Sequence, residues 1–377
     1  MLPRIAMLST YPPTKCGIAT FAQSLRIAME ESGCAVDLIE PRASDRGLRE
    51  VFLDAHLEQT VSAINARDVL LIQHEYGIFD GPDGEDVLEL VARTRVPVIS
   101  VLHTVLERPS ENQRRVLRAL VAASDAVVVM SMAAYRRLVS QYGAATNKLR
   151  VIPHGSADLR ATRDSLTAFG QPQLLTWGLI SRGKGIEWGI IAMALLARRD
   201  LRMKYVIAGQ VHPNASYGDG VKYRDELVEL AVNLGVSENV EFVDEYLGDQ
   251  DLRALMATSS AFLLPYDTKE QVTSGVLVEA VTAGGPVIAT RFPHANELLG
   301  YGAGYVVRQK DAQGMANAIR SAHTDLRKVA QMRRRNLHAA EEFIWTHVGA
   351  EYAQLADDVW RRRSPLGSAI VEMAVGS

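Results

Sequence analysis

Short, nearly continuous apolar runs rich in Val, Ile and Leu alternate along the whole chain with longer stretches of helical period. In the first half the runs fall at 5–10 (IAMLST), 36–40 (VDLIE), 69–75 (VLLIQHE), 97–103 (PVISVLH), 126–131 (AVVVMS) and 150–154 (RVIPH). In the second half they fall at 173–178 (QLLTWG), 204–209 (KYVIAG), 240–245 (VEFVDE), 261–266 (AFLLPY), 286–290 (PVIAT) and 303–307 (AGYVV). Runs this uniform suit parallel strands buried on both faces, not the in–out alternation of a half-solvated sheet. The patterns between them, such as Ile18 to Ser32 and Ile186 to Ala197, suit crossover helices. The pattern predicts an α/β protein with two Rossmann-like, doubly wound domains.

Length agrees with two domains, because 377 residues exceed what one ordinary core organises. The stretch 155–172 is polar, lacks a period and carries Gly and Pro, which marks a boundary there. The expected domains are therefore 1–160 and 170–344. The segment 345–364 is helical without a strand partner, so it is expected to cross back onto the first domain. From Pro365 onward, 365–377 reads as a weakly ordered tail.

Composition narrows the class further. With 47% apolar residues, 23% charged residues and a net charge of −3, the chain is globular and offers no general attraction to nucleic acid. Basic clusters at Arg327-Lys328, Arg333–Arg335 and Arg361–Arg363 read first as solvated helix faces; peripheral contact with an anionic membrane is the minority reading. Two cysteines, Cys16 and Cys34, make no disulfide framework, and no Cys/His spacing suggests zinc. The start, MLPRIAMLSTYPP, is too short an apolar run for a signal peptide, and no uncharged stretch approaches the ~20 residues that span a bilayer. The expected location is the cytoplasm.

In open parallel sheets ligands bind beyond the carboxyl ends of the strands, so the residues that follow each run are the candidates. GLISRGKGIEWG, 178–189, packs Gly178, Arg182, Gly183, Lys184 and Gly185 into a strand-to-helix turn. Glycines let the backbone approach a ligand, the following helix directs amides at an anion, and the two cations suit phosphate oxygens. A plain Gly-rich turn with solvated cations is the bland alternative. QVTSGVLVEAVTAGG, 271–285, repeats the theme: Ser274-Gly275-Val276 opens a helix, and Glu279 lies one turn in. A carboxylate there can accept hydrogen bonds from vicinal hydroxyls; an ordinary exposed helix carboxylate is the alternative.

The first half offers weaker signals. The loop YPPTKCGIATFA lacks the G-x-G-x-x-G dinucleotide fingerprint, leaving Gly17 as a close-approach glycine and Cys16 as a small packed residue more than a nucleophile. His103 ends a central run and is either a structural imidazole or a site residue. His74 and Glu75 adjoin each other at a run end and would point to opposite faces if the strand continued. His154 precedes the boundary.

Taken together, G-x-[IL]-x-x-x-K-G at Gly178–Gly185 and Ser-Gly-x-x-x-Glu-Ala before GGPVIAT resemble a GT-B glycosyltransferase of the retaining family-four, or group 1, type. The likeness runs from Pro12–Ile18 to the helix around Trp345–Tyr352. It implies two Rossmann-like domains facing across a cleft, with hexose passing from a nucleotide-diphosphate sugar to an acceptor hydroxyl. Arg182 and Lys184 would stabilise the departing diphosphate, and Ser274, Gly275 and Val276 would add backbone amides. Glu279 would hold the ribose, Gly17 and Gly178 would lie under the donor, and His103 would face the transferred sugar. His74, Glu75 and His154 fall on the acceptor side. The leaving phosphate would take the acceptor proton, so neither a side-chain base, a metal nor a further cofactor is implied. The acceptor is open among a glycan, a lipid carrier and a small molecule.

One position departs from the family. Two glutamates eight apart are usual, but Glu279 is matched by Gln271, which keeps hydrogen-bonding ability and loses the charge. A phosphorylase or sugar-nucleotide epimerase on the same fold, or a non-catalytic nucleotide- or glycan-binding protein, are the competing readings.

Overall fold

The protein is described by a computed structural model covering residues 2–40, 53–163, 172–211 and 219–363. It divides into unit 1, Met1–Gly155 with Trp345–Ser377, and unit 2, Ser156–Ile344. The chain thus leaves unit 1 at the start of the polar stretch 155–172. Most of that stretch, 164–171, and the tail 365–377 lie outside the described residues.

Unit 1 holds a six-stranded parallel sheet of β1 (Arg4–Leu8), β2 (Ala35–Ile39), β3 (Val69–His74), β4 (Val98–Leu102), β5 (Ala126–Val129) and β6 (Leu149–Val151), in the order β2-β1-β3-β4-β5-β6. Unit 2 holds β7 (Gln173–Trp177), β8 (Lys204–Ala208), β9 (Val240–Val243), β10 (Ala261–Leu264), β11 (Val287–Thr290) and β12 (Tyr305–Val307), in the order β12-β11-β10-β7-β8-β9. Every residue of β3, β4, β5, β10 and β11 is buried, which is why these runs read as unbroken apolar stretches. Each sheet reverses its winding once, between β1 and β3 in unit 1 and between β7 and β10 in unit 2. Crevices for ligands open at such points.

The strands stop earlier than their apolar runs. Ser131 leaves the ladder to cap the helix Met132–Arg137, accepting a hydrogen bond from the Ala134 amide at 3.1 Å. Pro153 and Pro265 lack the amide that would extend β6 and β10. The residues beyond these ends form the turns that carry the candidate chemistry.

The helix Trp345–Arg363 returns to unit 1 and packs along Gly17–Glu31. A Cβ at Gly349 would come within 2.5 Å of the Ala28 side chain, so glycine sets how closely the two helices approach. Val348, Tyr352, Ala356 and Val359 join the core of Phe21, Leu25 and Met29. A helix with no strand of its own is thereby part of the unit 1 core.

Candidate active site

The switch point of unit 2 is built from two turns that touch each other. After β7 the chain turns at Gly178 (φ +102°), passes Gly183 (φ +87°) and enters the helix Ile186–Ala197 through Gly185 (φ +64°). A Cβ on Gly185 would lie 2.1 Å from the Pro265 carbonyl oxygen, and one on Gly209, after β8, would lie 2.0 Å from the Gly178 carbonyl oxygen. Only glycine satisfies both the left-handed backbone and this backbone-to-backbone contact. The Asp267 amide donates to the Gly183 carbonyl at 3.0 Å, which ties the loop to the segment after β10. Val276 then abuts Gly178, with its methyl 3.4 Å from where a Cβ would stand. The two sequence motifs, nearly a hundred residues apart, are one surface.

The cations are held in different ways. The Lys184 ammonium sits 4.3 Å from the centre of the Tyr266 ring, whose other neighbour is the stacked ring of Phe292 at 5.0 Å. A π face attracts the charge without neutralising it. Arg182 lies over Tyr223 at 5.1 Å and makes a two-pronged bridge to Glu226, at 2.9 and 2.7 Å. Both partners are exposed, so this bridge is weak and exchangeable.

The second turn supplies backbone donors. Ser274 caps the helix Gly275–Thr282, its hydroxyl accepting from the Leu277 amide at 3.2 Å. Its own amide donates to His294 Nδ1 at 2.9 Å. That leaves the amides of Gly275 and Val276, the first two helical positions, without an intrahelical acceptor. One turn further in, Glu279 Oε2 accepts from the Trp177 indole at 2.7 Å. Its carboxyl lies among protein atoms although the residue keeps some solvent-facing surface. Burial pushes its pKa up to about 7, against the lowering effect of the indole hydrogen bond. Gln271 donates its side-chain amide to the Thr273 carbonyl, a local loop contact.

Unit 1 presents a different set at its strand ends. Gly17 is the first residue of its helix, capped by Cys16, whose sulfur accepts from the Ala19 amide at 3.3 Å. A Cβ on Gly17 would meet nothing within 4 Å, so no internal contact requires glycine there. His103 Nε2 is 2.8 Å from Gln73 Oε1, and its ring packs edge-on against Phe21 at 4.8 Å. His154 lies against the same Phe21 at 5.0 Å and hydrogen-bonds the Gly155 carbonyl through Nδ1 at 2.7 Å. Burial pulls His103 down to about 3, with repulsion from His154 and His74 adding to it, and pulls His154 down to about 4. Both imidazoles are neutral at physiological pH, so His103 offers a hydrogen bond without a charge.

His74 and Glu75 part company. His74 is fully buried between Tyr76 and Phe79, with both ring nitrogens unpartnered, and burial lowers its pKa to about 4. Glu75 accepts from the Tyr76 amide at 2.9 Å and from the Thr104 hydroxyl, while burial raises its pKa.

Several residues that shape these sites gave no sequence signal. Trp177 ends an apolar strand and reads as core, and Glu226 lies on an ordinary helix 44 positions from Arg182. His294 follows a phenylalanine-proline pair with nothing to mark it. Tyr266 closes the apolar run 261–266, and nothing in that run marks it as the partner of Lys184.

A pair of parallel six-stranded Rossmann-like sheets, one bearing phosphate-suited turns, defines the GT-B class. Solved structures share the fold over almost the whole chain. Sucrose-phosphate synthase from Thermosynechococcus elongatus superposes with a TM-score of 0.77 at 19% identity, covering 95% of this chain and 99% of that one. HepE from Anabaena, in complex with UDP and glucose, superposes with a TM-score of 0.71 at 19% identity, covering 94% and 99%. The family profile "Glycosyltransferase Family 4" matches residues 16–156, and "Glycosyl transferases group 1" matches residues 171–325. The chain belongs to the group 1 glycosyltransferases. Among its relatives, D-inositol 3-phosphate glycosyltransferase of Nocardia farcinica is 27% identical over 277 residues, a match spanning 68% of this chain and only 60% of the relative. Alpha-monoglucosyldiacylglycerol synthase of Streptococcus pneumoniae is 25% identical over 336 residues, spanning 77% and 71%.

Proposed function

We propose that the protein transfers a hexose from a nucleotide-diphosphate sugar to an acceptor hydroxyl, with retention of configuration and without a metal ion. The observation that carries this reading is the single surface formed by Gly178, Lys184, Arg182 and the amides of Gly275 and Val276 at the β7/β10 switch point. Its amides and cations are of the kind that bind a diphosphate, and in this reading the Glu279 carboxylate, one turn into the same helix, takes the ribose hydroxyls. Lys184, unpaired with any carboxylate among the described residues, adds positive charge as the sugar–phosphate bond breaks. Arg182 exchanges Glu226 for phosphate, a swap between two exposed partners. Enzymes commonly gain more from stabilising charge that develops at the leaving group than from any other single effect.

In this reading the leaving phosphate accepts the acceptor proton on the same face. His103, held neutral, hydrogen-bonds the sugar, and Gly17 lets the donor approach the backbone. Glu75 and His154 serve the acceptor side; His74 acts from the interior as support. Relatives named for a phosphorylated inositol and for a glucosyl lipid favour a small-molecule or lipid acceptor.

Binding calorimetry with UDP, GDP and ADP in EDTA, for the wild type and Lys184→Ala, tests the donor site. Tight binding of one nucleotide, weakened by the substitution, is expected. No binding by any of the three sinks the proposal. Gln271, engaged with the Thr273 carbonyl instead of offering a carboxylate, favours one second reading, a nucleotide-binding protein without turnover. Tight binding with no sugar transfer to any acceptor would select it.

A further inference from the structure

The helix Leu326–Phe343 carries its charges against its own dipole. No acidic residue stands in its first turn and no basic one in its last; instead Arg327 and Lys328 open it and Glu341 and Glu342 close it. Helices are stabilised by the reverse arrangement. The Asp325 cap offsets only part of this, and what remains points to use by something outside the helix.

The surroundings indicate what that is. Met332, Asn336, Ala340 and Phe343 face the core; Arg327 and Arg334 lie on the opposite side, with Lys328 and Arg335 exposed along one flank. Arg327 and Arg334 have no ion-pair partner among the described residues. At this end of the helix Asp325 is engaged in capping, its carboxylate accepting from the Lys328 amide at 3.0 Å. The two most exposed large apolar side chains among the described residues flank the cations: Tyr301, 90% exposed, and Leu326, 73% exposed. Arg335 binds the Tyr301 carbonyl, and Lys328 covers Tyr305 at 4.3 Å, so the loop before β12 and the helix form one surface. By contrast, in the carboxy-terminal basic cluster Arg361 pairs with Asp357 at 2.7 Å and Arg363 with Asp125 at 3.0 Å.

We infer that this face of unit 2, Tyr301 and Leu326 set among Arg327, Lys328, Arg334 and Arg335, docks on an anionic lipid surface. Cations gain from the negative leaflet, and an exposed tyrosine and leucine suit the boundary between headgroups and acyl chains. Nucleic acid would use the cations but gain little from an exposed leucine. The chain's net charge of −3 means the attraction is local to this face.

The test is co-sedimentation of the full chain with vesicles of phosphatidylcholine alone or with one-third phosphatidylglycerol. Binding to the anionic vesicles only, weakened by 0.5 M salt, is expected. Arg327→Gln with Arg334→Gln should weaken it by about fivefold per charge, and Tyr301→Ser with Leu326→Ser should reduce it while keeping the salt dependence. Neither pair touches the nucleotide site, so UDP, GDP or ADP binding and thermal unfolding should stay at wild-type values. Equal binding to both vesicle types overturns the inference. So does anionic binding that survives the arginine substitutions but fails on neutralising Arg361–Arg363. Retention of an oligouridine in place of vesicles would also overturn it, assigning the face to nucleic acid.

Discussion

The strand ends of the two sheets share one parallel architecture and differ in electrostatics. At β7/β10 the groups are cationic, backbone-rich and open, and the Glu279 carboxyl is held by an indole with its pKa raised to about 7. At the ends of β3 and β4 the groups are imidazoles buried deep enough to stay neutral, with pKa values pulled down to between about 3 and about 4. The fold supplies the crevice in both cases; the degree of burial decides whether charge or a neutral hydrogen bond is presented there. In the proposed reading the first arrangement binds the diphosphate and His103 of the second contacts an uncharged hydroxyl.

Lys184 is where the contrast between the units is most open to attack. Lys184→Ala should cut turnover by about 10²–10³ while leaving thermal unfolding unchanged, as loss of one charge-stabilising donor does elsewhere. Wild-type turnover in the folded variant would remove the cationic half of the contrast.

Acid should then separate the two units. The buried histidines have native pKa values near 3 to 4 against 6.5 unfolded, so the unfolded chain binds more protons between those limits. Their contribution is present above pH 6.5 and is lost as pH falls, by about 3 kcal/mol for His74 and for His154 and about 5 kcal/mol for His103 at the lower end. Glu279 has the reverse sign: its raised pKa favours the native state at low pH, and this is lost as pH rises from 4.5 through about 7. Hydrogen exchange at pH 4.5 should therefore show unit 1 opening before unit 2. His74→Leu, which removes two unpartnered buried nitrogens, should flatten the acid limb in urea unfolding. An unchanged acid limb would mean that His74 is not buried neutral.

A smaller effect is expected from the tight turns. Gly209→Ala places a methyl group 2.0 Å from the Gly178 carbonyl oxygen and should cost about 2 kcal/mol, read as a lowered Tm. The same substitution at Gly17, where a Cβ meets nothing, should leave Tm unchanged and weaken nucleotide binding alone.

The smallest effect concerns Glu279. An ionised carboxylate accepts from two ribose hydroxyls more strongly than the protonated acid, so nucleotide affinity should rise between pH 6 and pH 8 by up to about tenfold. Glu279→Gln should bind more weakly at pH 8 and show a flat profile. A wild-type profile already flat over this range would leave Glu279 outside the ribose site.

Much of this was legible in the residues themselves. The twelve strands among the described residues fall in the twelve apolar runs, most plainly β3, β4, β5, β10 and β11, where burial of every residue demands an unbroken apolar stretch. The glycine turns and the Ser274 cap were equally visible, since left-handed backbone and helix N-termini admit few residue types. What could not be read were partners distant in sequence. Nothing near Glu279 announces Trp177, 102 positions away, and nothing in the strand-end pattern distinguishes His103, bonded to Gln73, from His74, sealed in the interior.

The alternation of elements, the turns and the kind of chemistry at each strand end are therefore properties of the residues alone, because they rest on local backbone preference and on burial of apolar runs. Tertiary structure decided which of those ends meet and how deeply each side chain is buried. Burial depth sets the pKa of Glu279 and of the three histidines, and it depends on atoms that the chain brings in from far along its length.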